Sequence, residues 1–349
     1  MKAQCVANAI LSLGLLITGI HDSKAETPRP QPQWLDLNLD FTAQPVVGVS
    51  GGQDPSASSW MQQISAELTF GAGLNKDRRS WTPLDHWQIH LGLSQFTGNP
   101  ELNEQLGTNY PLQSLVTPTG TWFTQASLAR IKGENQIDWS INTGVISIGD
   151  NLVEIPALDH YTNYTLSTPY NLSVIGLPIT PLVAPGAQIG WHHKQLGSID
   201  YGYYHLNKTH QIAASLGVTP LTPKLEGNLQ IVQWSINPLA NSQDTTIKES
   251  EQKLPDPLIQ LGGYFSNTHL DVSPNTNPGD GTNNGIYGTV TWPLALPIGE
   301  NNRIWISSSL SLNPNNNPLI SYTAGGLLSQ GVLPGRPLDV LAVGFNRNG

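Results

Sequence analysis

A single cysteine, Cys5, stands among 349 residues, and after residue 20 no stretch approaches the ~18 consecutive apolar residues that a membrane-spanning helix requires. Lone and close to the N-terminus, Cys5 gives no disulfide framework. The residues around it also lack the leucine-led box that precedes a lipid-modified cysteine. Cations are scarce too: 16 Lys and Arg face 25 Asp and Glu, a formal net charge of −9. That balance argues against nucleic acid as a partner. Without cross-links or an apolar helix, an exported chain of this size must be held by core burial or by a closed hydrogen-bonded sheet, and any membrane contact is made by strands.

The one long apolar run is at the start. MKAQCVANAILSLGLLITGIHDSKAE carries Lys2, then apolar residues through Ile20, then small residues at Ser23 and Ala25. This pattern reads as a secretory signal peptide over residues 1–25, cut after Ala25 and leaving 26–349 as the mature domain. Cys5 leaves with it, as do Lys2, Lys24 and Asp22, so the exported chain is more acidic still. The bland alternative is a short buried helix, which the basic start and the Pro-rich run after Thr27 disfavour.

What the chain has in abundance is turn chemistry, with 34 Gly and 27 Pro, and 38% of its residues are hydrophobic. Connectors such as NPNNNP (Asn313 to Pro318) and NTNPGDGTNNG (Asn275 to Gly285) would interrupt any helix. Between them the period is two. WLDLNLDF sets Leu35, Leu37, Leu39 and Phe41 against Asp36, Asn38 and Asp40. HWQIHLGL sets Trp87, Ile89, Leu91 and Leu93 against His86, Gln88, His90 and Gly92, and QIDWSIN sets Ile137, Trp139 and Ile141 against Asp138, Ser140 and Asn142. SIDYGYYHL, GIYGTVTW and RIWISSSLSL continue the phase. Strands with one apolar and one polar face, near the ~9 to 11 residues of a tilted membrane strand, indicate an all-β, transmembrane antiparallel β-barrel with a wet lumen. A soluble β-sandwich or propeller also alternates, but with strands of about 5 to 6 residues. Aromatics fall near the strand ends, at Trp34, Phe41, Trp60, Phe70, Trp87, Phe96, Trp122, Trp191, Trp234 and Trp292, where interfacial girdles place them.

Thirteen strands are expected, near 34–42, 60–70, 86–96, 121–131, 136–146, 186–194, 198–206, 226–236, 258–266, 284–293, 302–312, 319–330 and 338–346. His210 to Val218 reads as loop; taken as a strand it would make fourteen. The longest connection, Ser147 to Pro185, is about 39 residues and rich in Pro, Tyr and Asn. A loop of that length packs over the mouth or folds into the lumen, which makes it the candidate selectivity element.

The late segment GGLLSQGVLPGRPLDVLAVGF (Gly325 to Phe345) resembles the carbohydrate-selective outer-membrane porins of the OprB type, which carry GGL, then G(L/V)(I/L)PGR, then D-x-L-x-(L/V)-G. The resemblance extends more loosely to GIYGTVTWPLA, LIQLGGYFSNT and LPITPLVAPGAQIGW. It implies a barrel of about sixteen strands in the outer membrane that passes mono- or oligosaccharides down their gradient, often as a homotrimer, with inward-folded loops as the constriction. No catalysis and no cofactor follow from it. The family continues for about three more strands and ends on an aromatic residue, whereas this sequence stops at Asn348-Gly349. It therefore looks cut short at the C-terminus. Thirteen strands would set the first and last side by side and parallel, so a closed working pore is not expected of the chain as it stands.

Sugar passage calls for hydrogen-bonding groups that replace hydration, with flat aromatic faces for pyranose C–H edges. The candidates for substrate contact are Glu154, Asp159, His160, Tyr161, Tyr164 and Tyr170 in the long connection and Arg303 and Trp305 on a lumen face. Asp36, Asn38, Asp40, His86, Gln88, His90, Asp138, Asp200 and Tyr204 share the lumen phase. For each of these the plainer reading is a solvated wall residue. Arg336 sits in a Pro-Gly turn and reads as structural; His192 and His193 point to opposite faces of a strand and cannot share a metal. No catalytic motif stands out. A non-conducting outer-membrane or secreted β-protein, either sugar-binding or a decayed porin, stays open as the alternative.

Overall fold

The structure, a computed structural model, describes residues 35–47, 58–71, 86–99, 115, 119–132, 136–150, 152–161, 182–206, 227–239, 254–267, 282–314 and 320–348. Residues 1–25, Trp34, Tyr164, Tyr170 and the segment His210 to Val218 lie outside them. Thirteen strands form one sheet: β1 (Leu35–Val47), β2 (Ser58–Gly71), β3 (Trp87–Gly98), β4 (Gly120–Arg130), β5 (Ile137–Ile146), β6 (Ala184–His193), β7 (Gly197–His205), β8 (Asn228–Ile236), β9 (Leu258–Ser266), β10 (Asn283–Pro293), β11 (Asn301–Ser311), β12 (Ser321–Gln330) and β13 (Val340–Asn348). Each pairs with its sequence neighbours in an antiparallel ladder, so the spatial order is the chain order. Among the described residues no ladder joins β1 to β13.

The faces are inverted relative to a water-soluble protein. Large apolar side chains stand outside, with Leu39 65% exposed, Ile306 51% and Leu91 41%, while Gln233, Ser307 and Asp138 are buried inside. The outer wall is thus suited to hydrocarbon and the inner one to water. Because the backbone donors and acceptors are spent on neighbouring strands, such a wall can sit in lipid wherever its ladders are complete. The aromatic expectation is corrected at two positions. Trp60, Trp191 and Trp292 face outward, but Phe96 and Trp122 face inward, where they pack with Met61, Leu115 and Leu182. Phe96 shares the lumen phase of Gln88 and Ser94 on β3, so its place near a strand end does not bring it to the outer surface.

The phase of β4 is reset by a bulge. Gly92 faces Gln125 and Leu93 faces Phe123, which leaves Thr124 as the extra residue. Inward positions on β4 accordingly change from Trp122 and Thr124 to Ser127 and Ala129. A side chain at Gly92 would meet Thr124 Oγ1 and the Gln125 backbone, so this close approach requires glycine. Arg336, in the turn between β12 and β13, pairs with Asp339 at 2.5 Å, in keeping with a structural role.

One end of the barrel carries the short turn Lys194–Leu196 between β6 and β7, and the brief connection from β4 to β5 leaves from the same end. The connection 147–183 is at the other end and is the longest.

Inversion of the faces predicts asymmetric tolerance on a single strand. Leu91→Arg should cost about 2–4 kcal/mol of stability in lipid vesicles, and His90→Arg, on the lumen face beside it, distinctly less, as read by urea unfolding. Equal costs would mean that β3 does not face lipid.

Candidate functional site

The wall gives way to the long connection where the β4–β5 ladder ends, at Ala126 opposite Val145. After Ile146 the chain abandons period two: Ile148, Leu152, Val153, Ile155, Ala157, Leu158 and Tyr161 follow an irregular apolar spacing that no strand can present to one side. Pro156 favours a tight turn, and two short 3-10 helices form, Ile148–Asp150 and Pro156–His160. Local bonds from Leu152 N–H to Ile148 O (3.0 Å), Leu158 N–H to Ile155 O (2.8 Å) and Tyr161 N–H to Leu158 O (3.0 Å) satisfy part of the backbone without a ladder.

This segment docks inside the barrel, its apolar side chains buried against the inner wall in two clusters. Ile148, Leu152 and Val153 pack with Ala184, Tyr204, Leu229, Ile231, Tyr264 and Tyr287, on β6 to β10. Ile155, Ala157, Leu158 and Tyr161 pack with Leu254, Trp305, Tyr322, Ala324 and Leu328, and thus reach β11 and β12. The segment therefore runs along the inside of the wall from the end of β5 to the last strands. Burying side chains such as Ile148 and Leu152, fully enclosed here, stabilises docking by roughly 1.5–3 kcal/mol each relative to a watery lumen.

Each cluster has a hydrogen-bonded anchor. In the first, Gln233 Oε1 accepts from Val153 N–H (2.8 Å) and from Tyr287 OH (2.9 Å), while Gln233 Nε2 donates to Ser235 Oγ (2.9 Å). Val153 has φ +65°, a left-handed conformation costly for a β-branched residue, and Gln233 holds its N–H in place. In the second, Trp305 Nε1–H donates to Tyr161 OH (2.9 Å), which donates to Val343 O (3.1 Å). The two rings also meet edge to face, with centroids 5.6 Å apart. Gly326 makes room for this, since a Cβ there would collide with the Tyr161 hydroxyl.

The expected contact residues separate into two groups. Glu154 and Asp159 are exposed and His160 is half-buried on the docked segment. Tyr161, Trp305 and Arg303 are instead consumed by structure. Arg303 donates to Pro255 O (3.0 Å), Asn301 Oδ1 (2.7 Å) and Asn302 O (3.0 Å). Tyr204, one of the lumen-phase residues, is fully buried and accepts from Gln188 Nε2 at 2.6 Å. Nothing in the residue pattern around Gln233 or Val153 marks them as anchors. For Gly326 the one sequence signal is its place in the family-like GGL.

The surrounding protein sets the charges on the segment. Loss of hydration raises the Glu154 carboxyl above its ordinary value, and the nearby Asp159 raises it further. Partial loss of hydration beneath an exposed carboxyl edge likewise raises Asp159, and burial lowers His160. The Tyr161 phenol is pushed up to about 12 by burial, against the downward pull of the Trp305 hydrogen bond, so it stays protonated and can donate.

No protein-family model matches the chain, and no curated protein matches it. Among solved structures, the high-pH structure of Pseudomonas putida OprB superposes with a TM-score of 0.70 at 13% identity, over 90% of this chain and 75% of that one. The low-pH structure of the same protein aligns with a TM-score of 0.49 at 8% identity, over 90% and 78%. The first likeness shows that this chain has the fold of that barrel.

Two outcomes follow for the docked segment. Tyr161→Phe keeps the ring but removes the bond to Val343 O and the acceptor for Trp305. It should loosen docking by about 1–3 kcal/mol, read as faster hydrogen exchange at residues 152–161. The carboxyls of Glu154 and Asp159 bind protons more tightly when docked, so their effect is most favourable below the ordinary carboxyl range and is lost as pH rises through the raised values. His160 acts oppositely, because its lowered value makes docking firmer as pH rises toward the ordinary 6.5. The variant Glu154→Gln with Asp159→Asn should abolish the loss on rising pH and keep the gain, as read by protease access to the segment. An unchanged profile would refute this assignment.

Proposed function

We propose that the protein is an OprB-type porin of the outer membrane, allowing passive, carbohydrate-selective diffusion of small sugars. The observation that carries this reading is the polar inner wall, with a docked segment lying along it and Glu154 and Asp159 exposed. A charged, hydrogen-bonding passage can exchange hydration for sugar hydroxyls, whereas an apolar plug could not. The P. putida barrel fold supports the reading, as does the family-like segment Gly325 to Phe345. The geometry calls for no catalytic step: transport needs only hydroxyl contacts that form and break quickly. In the family such barrels often stand as homotrimers, and that assembly is part of the proposal.

One observation favours a second reading, a non-conducting β-protein. Among the described residues β1 and β13 each have a ladder on one side only. Conduction through a bilayer needs those edges covered, since each unpaired backbone group in hydrocarbon costs several kcal/mol.

Liposome swelling separates the two. With the protein reconstituted so that the β1 and β13 edges are covered, a glucose or maltose gradient should drive swelling well above protein-free vesicles, and Tyr161→Phe should change its rate. Swelling equal to protein-free vesicles, from protein shown to be inserted, would overturn the porin reading.

A further inference from the structure

The wall holds a polar recess at the end with the short turns, one hydrogen bond away from the Gln233 anchor, whose Nε2 donates to Ser235 Oγ in the recess lining at 2.9 Å. It has a volume of about 350 Å3 and is lined by Lys132, Asp138, His192, Lys194, Ser198 and Ser235 among others. That volume lies at the small end of known ligand sites, about 300–1,000 Å3. Strand register explains why these groups meet. Asp138 pairs with His192, His192 with Ser198, and Ser198 with Ser235, so a single row crosses β5, β6, β7 and β8.

The next row, Ser140, Gly190, Asp200 and Gln233, contains a gap. Gly190 has no side chain, and three polar groups converge where its Cβ would be: Asp200 Oδ1, Ser140 Oγ at 2.5 Å and His192 Nε2 at 2.7 Å. Ser140 Oγ and His192 Nε2 are 2.7 Å apart, and Ser198 Oγ donates to Asp200 Oδ2 at 2.8 Å. Lys132 is within electrostatic reach of both His192 and Asp200.

The mixture of charges decides what fits. Asp138 is already bound by Arg130 at 3.1 Å and by its neighbour's N–H at 2.8 Å. An anion entering the recess would meet Asp138, with Asp200 in the next row behind it, and a cation would meet Lys132 and Lys194. A pair of adjacent hydroxyls, each both donor and acceptor, matches carboxylate, ammonium, imidazole and serine groups placed side by side. We propose that this recess binds the vicinal hydroxyls of a neutral sugar, forming a second contact station at the short-turn end of the passage. The identity of the arriving ligand rests on the porin reading; the chemistry of the recess does not. With no aromatic side chain among the groups named, the station takes the hydroxyl edge of the ring and not its C–H face, which suits brief contact during passage.

The test observes the recess directly. With the full chain in detergent micelles and its histidines isotope-labelled, the His192 imidazole signal, identified by its loss in His192→Gln, is followed during glucose titration. It should shift and saturate. In Lys132→Met with Ser198→Ala, half-saturation should need about tenfold more glucose, as expected when charged and neutral hydrogen bonds are lost together. Gluconate and glucosamine should shift the signal only at higher concentrations than glucose. The proposal is overturned if glucose leaves His192 unmoved, if the double variant responds like the parent, or if gluconate acts at equal or lower concentration than glucose, which would make the recess an anion site. A saturable, variant-sensitive His192 response in protein that gives no liposome swelling would leave the station standing and remove the porin reading.

Discussion

The antiparallel ladder is the constraint on which every other feature depends. In hydrocarbon an unpaired N–H or C=O has no water to turn to, so the chain is committed to strands bonded on both sides wherever it spans. Once the ladder is set, alternation is obligatory: each strand must direct every second side chain to lipid and the others to the lumen. Leu37, Leu91, Ile189 and Ile306 go out, and Asn38, His90, Gln188 and Ser307 go in, with no further choice. The ladder thus separates an outer face from an inner one, and the residue types at alternate positions make the inner one polar.

An interior built this way is open unless something fills it. The docked segment does so with an apolar surface, laid on the wall's tyrosines, Trp305 and aliphatic side chains, while a separate inward cluster of Met61, Phe96 and Trp122 packs with Leu115 and Leu182. Tyr204, Tyr264, Tyr287, Trp305 and Tyr322 are lumen-phase residues, yet they form the seat for the docked segment and do not face water. Neighbouring glycines permit this. Gly262 lies against the Tyr287 ring and Gly326 against the Tyr161 hydroxyl, so bulky side chains lie along the wall instead of projecting across the lumen. The two anchors then fix the segment at points far apart in sequence, Val153 to Gln233 and Tyr161 to Trp305 and Val343. The exposed carboxyls of Glu154 and Asp159 are carried on that support.

Much of this is legible in the sequence. Period-two runs such as WLDLNLDF and RIWISSSLSL indicated the strands and their faces, because a one-residue error would exchange lipid and lumen along the whole strand. The thirteen expected strands match those found, with ends differing by a few residues. Contact residues were harder to read. Trp305 and Tyr161 were expected as sugar contacts on residue type and phase, but side-chain chemistry does not reveal whether a lumen residue is covered by another segment. Phe96 and Trp122 show the same limit from the other direction, since nearness to a strand end does not say which face a residue occupies.

By itself, then, the sequence determined the class of fold, the strand positions and the inverted faces, since these follow from local alternation and turn chemistry. Only the tertiary structure decided that residues 147–161 dock inside, that Gln233 and Gly326 hold them there, and that the bulge at Thr124 resets β4. The same is true of the row that brings Asp138, His192, Ser198 and Ser235 to one recess. Each of these depends on register between strands or on contacts between residues some 80 to 182 positions apart, as in Val153 with Gln233 and Tyr161 with Val343. Such pairings leave no periodic trace in a single chain, because the energy that selects them is realised only when distant segments meet.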